Sequence, residues 1–243
     1  MPDKFLSPEG DLEKIFVTDY EMIDQYAATG SLWVWGDNWA GQLADNTVVR
    51  KSSPVQTVSG GTNWKQVSCN SASVAAIKTD GTLWLWGSNS NGLLGDNTTT
   101  SKSSPVQTIS GGTNWKQVSS SWMTAAIKTD GTLWVWGGNW YGQLGDGTTT
   151  AKSSPIQTIS GGTNWKQVFC GDVETTVAIK TDGTLWGWGG NYYGGLGDNN
   201  AYLYSTSPIQ TVAGGNNWKQ VSCGTYNTAA IYFYDASNLY PNS

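Results

Sequence analysis

The chain has 243 residues, with 13 Lys and Arg against 18 Asp and Glu, a formal net charge of −5, and no histidine. The acidic balance speaks against a binder of nucleic-acid backbones, which needs clustered Lys and Arg. The missing histidine excludes Ser-His-Asp and Cys-His chemistry and any His-ligated metal centre.

Residues 1–29 read as an N-terminal arm or as a degenerate half-repeat. The opening MPDKFLSPEGDLEK has no apolar signal core, so no secretory leader is expected, and no apolar run in the chain reaches the ~18 residues of a membrane span. KIFVTDYEMIDQYAATG can be laid without a gap over WKQVSSSWMTAAIKTDG, which places Val17 on Val118, Met22 on Met123 and Gly30 on Gly131. From Gly30 onward one block is written four times, over 30–80, 81–130, 131–182 and 183–235, with a tail at 236–243. A period of about fifty residues marks a repeat architecture.

Each block opens on LWxWG (32–36, 83–87, 133–137, 185–189), an aromatic and β-branched run closed by Gly that predicts a strand. Its two tryptophans are two residues apart and face one side of the strand, with the leucine and the middle residue on the other. A Gly/Asn/Asp loop follows, in which Asp45, Asp96, Asp146 and Asp198 read as turn caps. One carboxylate per loop is not the spacing of a calcium cage, and no metal site is predicted. SSPVQT or SSPIQT comes next, where proline marks a strand start or an edge. GGTNW then turns into WKQV, whose Lys and Gln are expected on a polar face opposite Trp and Val. Cys69, Cys170 and Cys223, with Ser120 in the same column, read as small buried thiols of an inner strand. AAIKTDG closes the unit with an Asp-Gly hairpin turn.

Four short strands per block without helical periodicity predict an all-β fold. The expected form is a β-propeller-like array of four roughly 51-residue, four-stranded blades. Twelve of the 15 tryptophans fall in three repeated columns. Those columns read as wedges between blades, each indole N–H directed at a backbone carbonyl. The other three, Trp39, Trp122 and Trp140, lie where the blocks differ.

The succession LWxWGxNxxGQLGD, SPxQ, WKQVSCG and TAAIKTDG resembles the repeat of the regulator-of-chromosome-condensation family, from residue 30 to about 235. The resemblance implies a β-propeller, in that family usually of seven blades. It also implies nucleotide exchange on a small GTPase, chromatin binding or protein interaction as functions. Ala44 departs from the pattern where the other blocks have Gly95, Gly145 and Gly197, and it predicts a different loop path there, since alanine tolerates positive φ poorly. Four blocks fall short of that ring. Either the chain closes as a small ring, or it is an incomplete ring closed by the N-terminal segment or by oligomerisation, because open strand edges must be covered.

Two stretches vary between blocks: 37–40 with its copies, and 70–74 with its copies. Trp39, Trp122, Trp140, Tyr141, Tyr192, Tyr193 and Tyr226 there are the candidate recognition residues. Flat rings among amide and hydroxyl groups suit a glycan or a protein partner, and packing between neighbouring loops is the alternative. Phe5, Phe16, Tyr20 and Tyr26 of the arm, with Tyr202 and Tyr204 of the altered loop in the last block, are candidate docking residues. Asp172 and Glu174 are a formal carboxylate pair with nothing marked opposite, so no catalytic residue and no cofactor are assigned, and the protein reads as a non-enzyme. The charge-poor, nearly self-identical repeats are similar in style to members of the family encoded by tailed phages. That likeness implies a virion component of tail or tail-fibre type, with other protein subunits and a host surface glycan as partners. The alternative is a cytoplasmic protein-interaction propeller or a regulator of a small GTPase.

Overall fold

The Asp-Gly turns decide how the strands are grouped. At the first of them the Thr82 hydroxyl and amide both donate to Asp80 Oδ1, at 2.7 and 2.9 Å, and Gly81 supplies a φ of +78°. A side chain at Gly81 would run into the Thr113 carbonyl of the next GGTNW turn, so the position needs glycine for space as well as for φ. This hairpin joins the end of one block to the start of the next, and the sheets follow it.

The computed structural model describes residues 30–172, 174–200 and 204–234. Strands β1 (Trp33–Gly36) and β2 (Lys51–Gln56) form a two-stranded sheet. The first complete blade is β3 (Trp64–Cys69), β4 (Ser73–Lys78), β5 (Leu83–Gly87) and β6 (Lys102–Gln107). The second is β7 (Trp115–Ser120), β8 (Met123–Lys128), β9 (Leu133–Gly137) and β10 (Lys152–Gln157). The third is β11 (Trp165–Cys170), β12 (Thr175–Lys180), β13 (Leu185–Gly189) and β14 (Ser205–Gln210). A second two-stranded sheet, β15 (Trp218–Cys223) and β16 (Thr228–Tyr232), ends the array.

The all-β blade array is therefore as expected, but its phase differs from that of the blocks. Each complete blade takes the last two strands of one block and the first two of the next, which among the described residues leaves a half-blade at either end. All pairings are antiparallel. The proline-bearing strands β6, β10 and β14 lie at sheet edges, where a missing N–H costs no ladder bond.

The core lies between blades. On β4 and β5, Ala75, Ile77, Leu83 and Leu85 pack toward the second blade, while Val74, Ala76 and Trp86 pack toward the β1–β2 sheet. The same alternation recurs one blade on. Burying both faces of a strand in this way places the two tryptophans of LWxWG on one side, as their spacing predicts. Trp86, Trp136 and Trp188 are fully buried, and each indole N–H reaches a carbonyl of the preceding loop: Gln42 at 2.9 Å, Leu93 at 2.8 Å and Gln143 at 2.9 Å. Trp35, in the same column, is 61% exposed because β1 has no described blade before it. Lys78, Lys128 and Lys180 each lie over two rings, Lys128 at 4.8 and 4.6 Å from the centroids of Trp115 and Trp134. Such a cation stacks against the negative ring faces.

Three expectations need correction. The first concerns WKQV. A bulge between Trp115 and Gln117 makes Lys116 the extra residue and keeps Trp115 and Val118 in one buried cluster. Gln117 therefore does not belong to a solvent face. Its amide donates to the Val168 carbonyl and accepts from the Val168 N–H, at 3.1 and 3.2 Å, clipping neighbouring inner strands together. Gln66 does the same to Val118.

The second concerns the cysteines. Cys170 is buried, which pushes its thiol up to about 12, and Cys223 is partly buried and pushed up to about 11. Cys69, on the first inner strand, is exposed. The third concerns Ala44. It takes the glycine conformation, φ +48° against +64° at Gly95 and +61° at Gly145, rather than a different path. Its carbonyl accepts from the Val58 N–H at 2.8 Å, as Gly95 accepts from Ile109 at 2.9 Å, and these bonds hold the turn in place. An alanine there stores strain. Ala44→Gly should stabilise the protein by ~1 kcal/mol and raise the melting temperature by ~2–4 °C in a thermal scan.

Candidate functional site

Antiparallel strand order puts both variable loops at one end of every blade and both invariant turns, TDG and GGTNW, at the other. The loop after WKQV joins a blade's first and second strands, and the loop after LWxWG joins its third and fourth. The variable letters of the repeat thus share one face.

The frame under that face is the asparagine of WGxN. Asn139 is fully buried. Its Nδ2 donates to Asp146 Oδ1 and to the carbonyls of Thr148 and Thr150, each at 3.1 Å, and its Oδ1 accepts from the Leu144 N–H at 2.9 Å. Asn38, Asn89 and Asn191 repeat the pattern. Asp146 also accepts from the Thr148 hydroxyl and amide and pairs with Lys152 at 3.6 Å. Partial burial opposes its ionisation, but these donors and the lysine together outweigh burial and hold the carboxyl below its ordinary range. The repeated acids of the loops are turn caps, occupied by the loop itself.

Above this frame the four loops after WKQV meet edge to edge. Asn70 Nδ2 donates to the Ser121 carbonyl at 2.5 Å, and the Ser121 and Thr225 hydroxyls each lie 3.4 Å from an oxygen of Asp172. Beside this polar seam opens a cavity of about 510 Å³. Its lining includes Asn70, Asp172 and Thr225, together with Trp39, Trp122 and Asn91. Loops of the first and fourth blocks share this one cavity, so the array curves around it. Trp39 and Trp122 are 63% and 52% exposed. Glu174, at a strained φ of +56°, is absent from the cavity lining, and burial raises its carboxyl. Asp172 and Glu174 therefore do not face each other across this cavity.

The seven aromatic candidates separate into groups. Trp39 and Trp122 flank the cavity. Tyr141 stacks edge-on to Tyr192 at 5.3 Å and to Tyr204 at 6.3 Å, which brings a docking candidate together with recognition candidates. Tyr193 meets Tyr226 at 4.6 Å, and the cleft around that pair is only about 10 Å³, the room of one water. Trp140 is half exposed and lies over Gly138. Phe5, Phe16, Tyr20, Tyr26 and Tyr202 lie outside the described residues. The polar seam of Asn70, Ser121, Asp172 and Thr225 was not singled out by sequence, although hydroxyl, amide or carboxylate letters at neighbouring positions of four loops were its signal.

The family model described as Regulator of chromosome condensation (RCC1) repeat matches residues 29–77, 80–127, 130–178 and 182–231. A second model of that description matches 64–93 and 165–194, starting at WKQV as the blades do. The chain is 31% identical over 210 residues to the Ultraviolet-B receptor UVR8 of Arabidopsis thaliana, covering 83% of this chain and 47% of that protein. Its fold is similar to that of human WBSCR16, with a TM-score of 0.72 at 22% identity over 85% of this chain and 54% of that one. It is also similar to Prp20p of Saccharomyces cerevisiae, with a TM-score of 0.69 at 18% identity over 85% and 53%. The Prp20p structure is described together with its binding to Gsp1p and histones. The chain spans about half the length of these relatives.

Proposed function

The chain belongs to the regulator of chromosome condensation (RCC1) repeat family, and from that premise we propose that it is a protein-recognition module that holds its partner against the loop face. The observation that carries this reading is the cavity flanked by Trp39 and Trp122 over the Asn70–Asp172–Thr225 seam. Rigid aromatic anchors beside a few directed polar groups are the usual make-up of a binding hot spot. The blades beneath supply a support that need not move on binding. The protein works by binding, and its partner is a protein with apolar or aromatic side chains to fill the cavity and a donor to meet Asp172.

A second reading, regulation of a small GTPase, is favoured by the likeness to Prp20p, whose described partner Gsp1p is named with it. Tail-fibre assembly and host-glycan binding are carried by the style of the repeat alone, and the relatives named above add nothing to them.

Trp39→Ala with Trp122→Ala should lower affinity for a protein captured from the source cells by at least ~10-fold, because hot-spot truncations cost ~2 kcal/mol or more. The circular dichroism spectrum should not change, since both rings are exposed. Undiminished capture by the double variant would sink the reading. Accelerated nucleotide release from a small GTPase, lost in the same variant, would establish the second reading instead.

A further inference from the structure

We propose that two copies of this chain join end to end, β16 of one pairing with β1 of the other, so that the two half-blades make complete four-stranded blades. This inference is independent of the loop-face function. It rests on hydrogen-bonding groups left over at the two ends, which match each other as the groups inside the array do.

Two junctions inside the array carry the same pair of donors, and at the first junction Val74 stands in the threonine position, so that Trp86 alone donates, to the Gln42 carbonyl. Thr124 on β8 and Trp136 on β9 are paired neighbours, and both donate to the Leu93 carbonyl of the preceding loop. Thr176 and Trp188 do the same to the Gln143 carbonyl. At the far end Thr228 on β16 donates to the Gly195 carbonyl at 2.8 Å, but no tryptophan accompanies it. At the near end Trp35 on β1 is the tryptophan of that column, exposed and without a hydrogen bond among the described residues. Setting β1 of a second copy beside β16 brings Trp35 next to Thr228 and onto Gly195.

The other contacts fall into place with it. Ile231 on β16 is 50% exposed, whereas Ile77, Ile127 and Ile179 in its column are buried. Val67 on β3 is also 50% exposed, whereas Val118, Val168 and Val221 are buried. Gln66 and Gln117 clip to the valine of the next inner strand and Gln167 to the Lys219 carbonyl, and Gln220 would reach the backbone of β3 in the second copy in the same manner. Apolar hollows of about 400 and 510 Å³ already exist at the two ends, lined by Leu32, Val34 and Leu43 at one and by Leu185, Leu196 and Val212 at the other. The chain overlies about half of each larger structure it resembles, so two copies supply the length that one such chain supplies alone.

The rival occupant is the chain's own residues 14–29. Laid over the repeat they put Asp24 and Gln25 where Ala125 and Ala126 are fully buried, and Phe16 where Gln117 clips its neighbour. Buried carboxylate and amide groups without partners are costly there. Thr228, Ala229, Ala230 and Ile231 fit those positions without change.

The experiment is light scattering on the full 243-residue chain across a dilution series. The expected mass is twice 26.1 kDa. Ile231→Lys and Trp35→Glu should each halve it with unchanged circular dichroism, because both side chains are exposed in the single chain. An equimolar mixture of the two variants should recover a two-chain species, since one joint then lacks both substitutions. Cys69 should react with a maleimide faster in either variant than in the parent. Val67→Lys reads the same joint should one variant fail to fold. A single-chain mass for the parent at every concentration, as cover by residues 14–29 would give, overturns the proposal. So does a dimer whose mass these substitutions leave intact.

Discussion

Trp136→Ala should lower the unfolding free energy by about 3–5 kcal/mol, the cost of emptying a well-packed tryptophan site. The ring is fully buried between the first and second complete blades, packed edge-on to Trp115 at 6.2 Å, and its N–H reaches Leu93. No nearby side chain is free to fill the space, because Leu85, Leu94 and Ala126 around it are already at full burial. Trp136→Phe separates the terms. Leu93 keeps the Thr124 hydroxyl as a donor, so the smaller ring should cost roughly 1–2 kcal/mol, mostly lost packing. Trp140→Ala, four residues away and half exposed, should cost less than ~1 kcal/mol. Urea titration followed by circular dichroism reads all three. Equal losses for Trp136→Ala and Trp140→Ala would show that the invariant column is not the inter-blade wedge.

Asn139→Ala should cost about 2 kcal/mol or more, because it strands the buried Leu144 N–H and takes the shared donor from Asp146 and the two threonine carbonyls, at ~1–3 kcal/mol for each buried group left unmet. The more telling variant is Asn139→Asp, which keeps the shape and replaces a donor by a second carboxylate facing Asp146. Burial and the neighbouring charge would raise the new group's folded pKa above its unfolded value. Its penalty is then present at neutral pH, where the unfolded chain gains by ionising, and relieved as pH falls below the unfolded carboxylate range of ~4. The stability difference from the parent protein should therefore shrink between about pH 7 and pH 4. A pH-independent difference would mean that Asn139 fills space and does not organise the loop.

Most of the fold was legible because the repeat states each strand several times, and tryptophan spacing alone assigns the faces of β5, β9 and β13. The phase of the blades follows from the Asp-Gly turn and not from where each block begins. A two-residue Asp-Gly turn can only pair the strands on either side of it, so AAIK and LWxWG had to share a sheet. The inward turn of Gln117 is not legible in the letters WKQV, because alternation fails at a bulge and a bulge is a property of the ladder. At Ala44 intrinsic propensity points away from positive φ, but two backbone hydrogen bonds, to Gly41 and from Val58, hold that turn. The recognition face was legible as variable loops. Which of its rings would flank a cavity and which would stack on one another depended on loop lengths that only the folded arrangement resolves into distances.

The glutamine clips between inner strands have a consequence for how many units such a protein can contain. A backbone ladder fixes the angle between the strands it joins, since its bonds are rigidly spaced along both chains. A side-chain amide reaches across on rotatable bonds, and it can keep both of its contacts while the units it links tilt by different amounts. Neighbouring units are thus hinged at the axis and wedged apart farther out by rings whose bulk sets the angle. Changing the size of those wedges would change the angle each unit subtends, and with it the number of copies that complete a circle, without altering a single bond within any sheet.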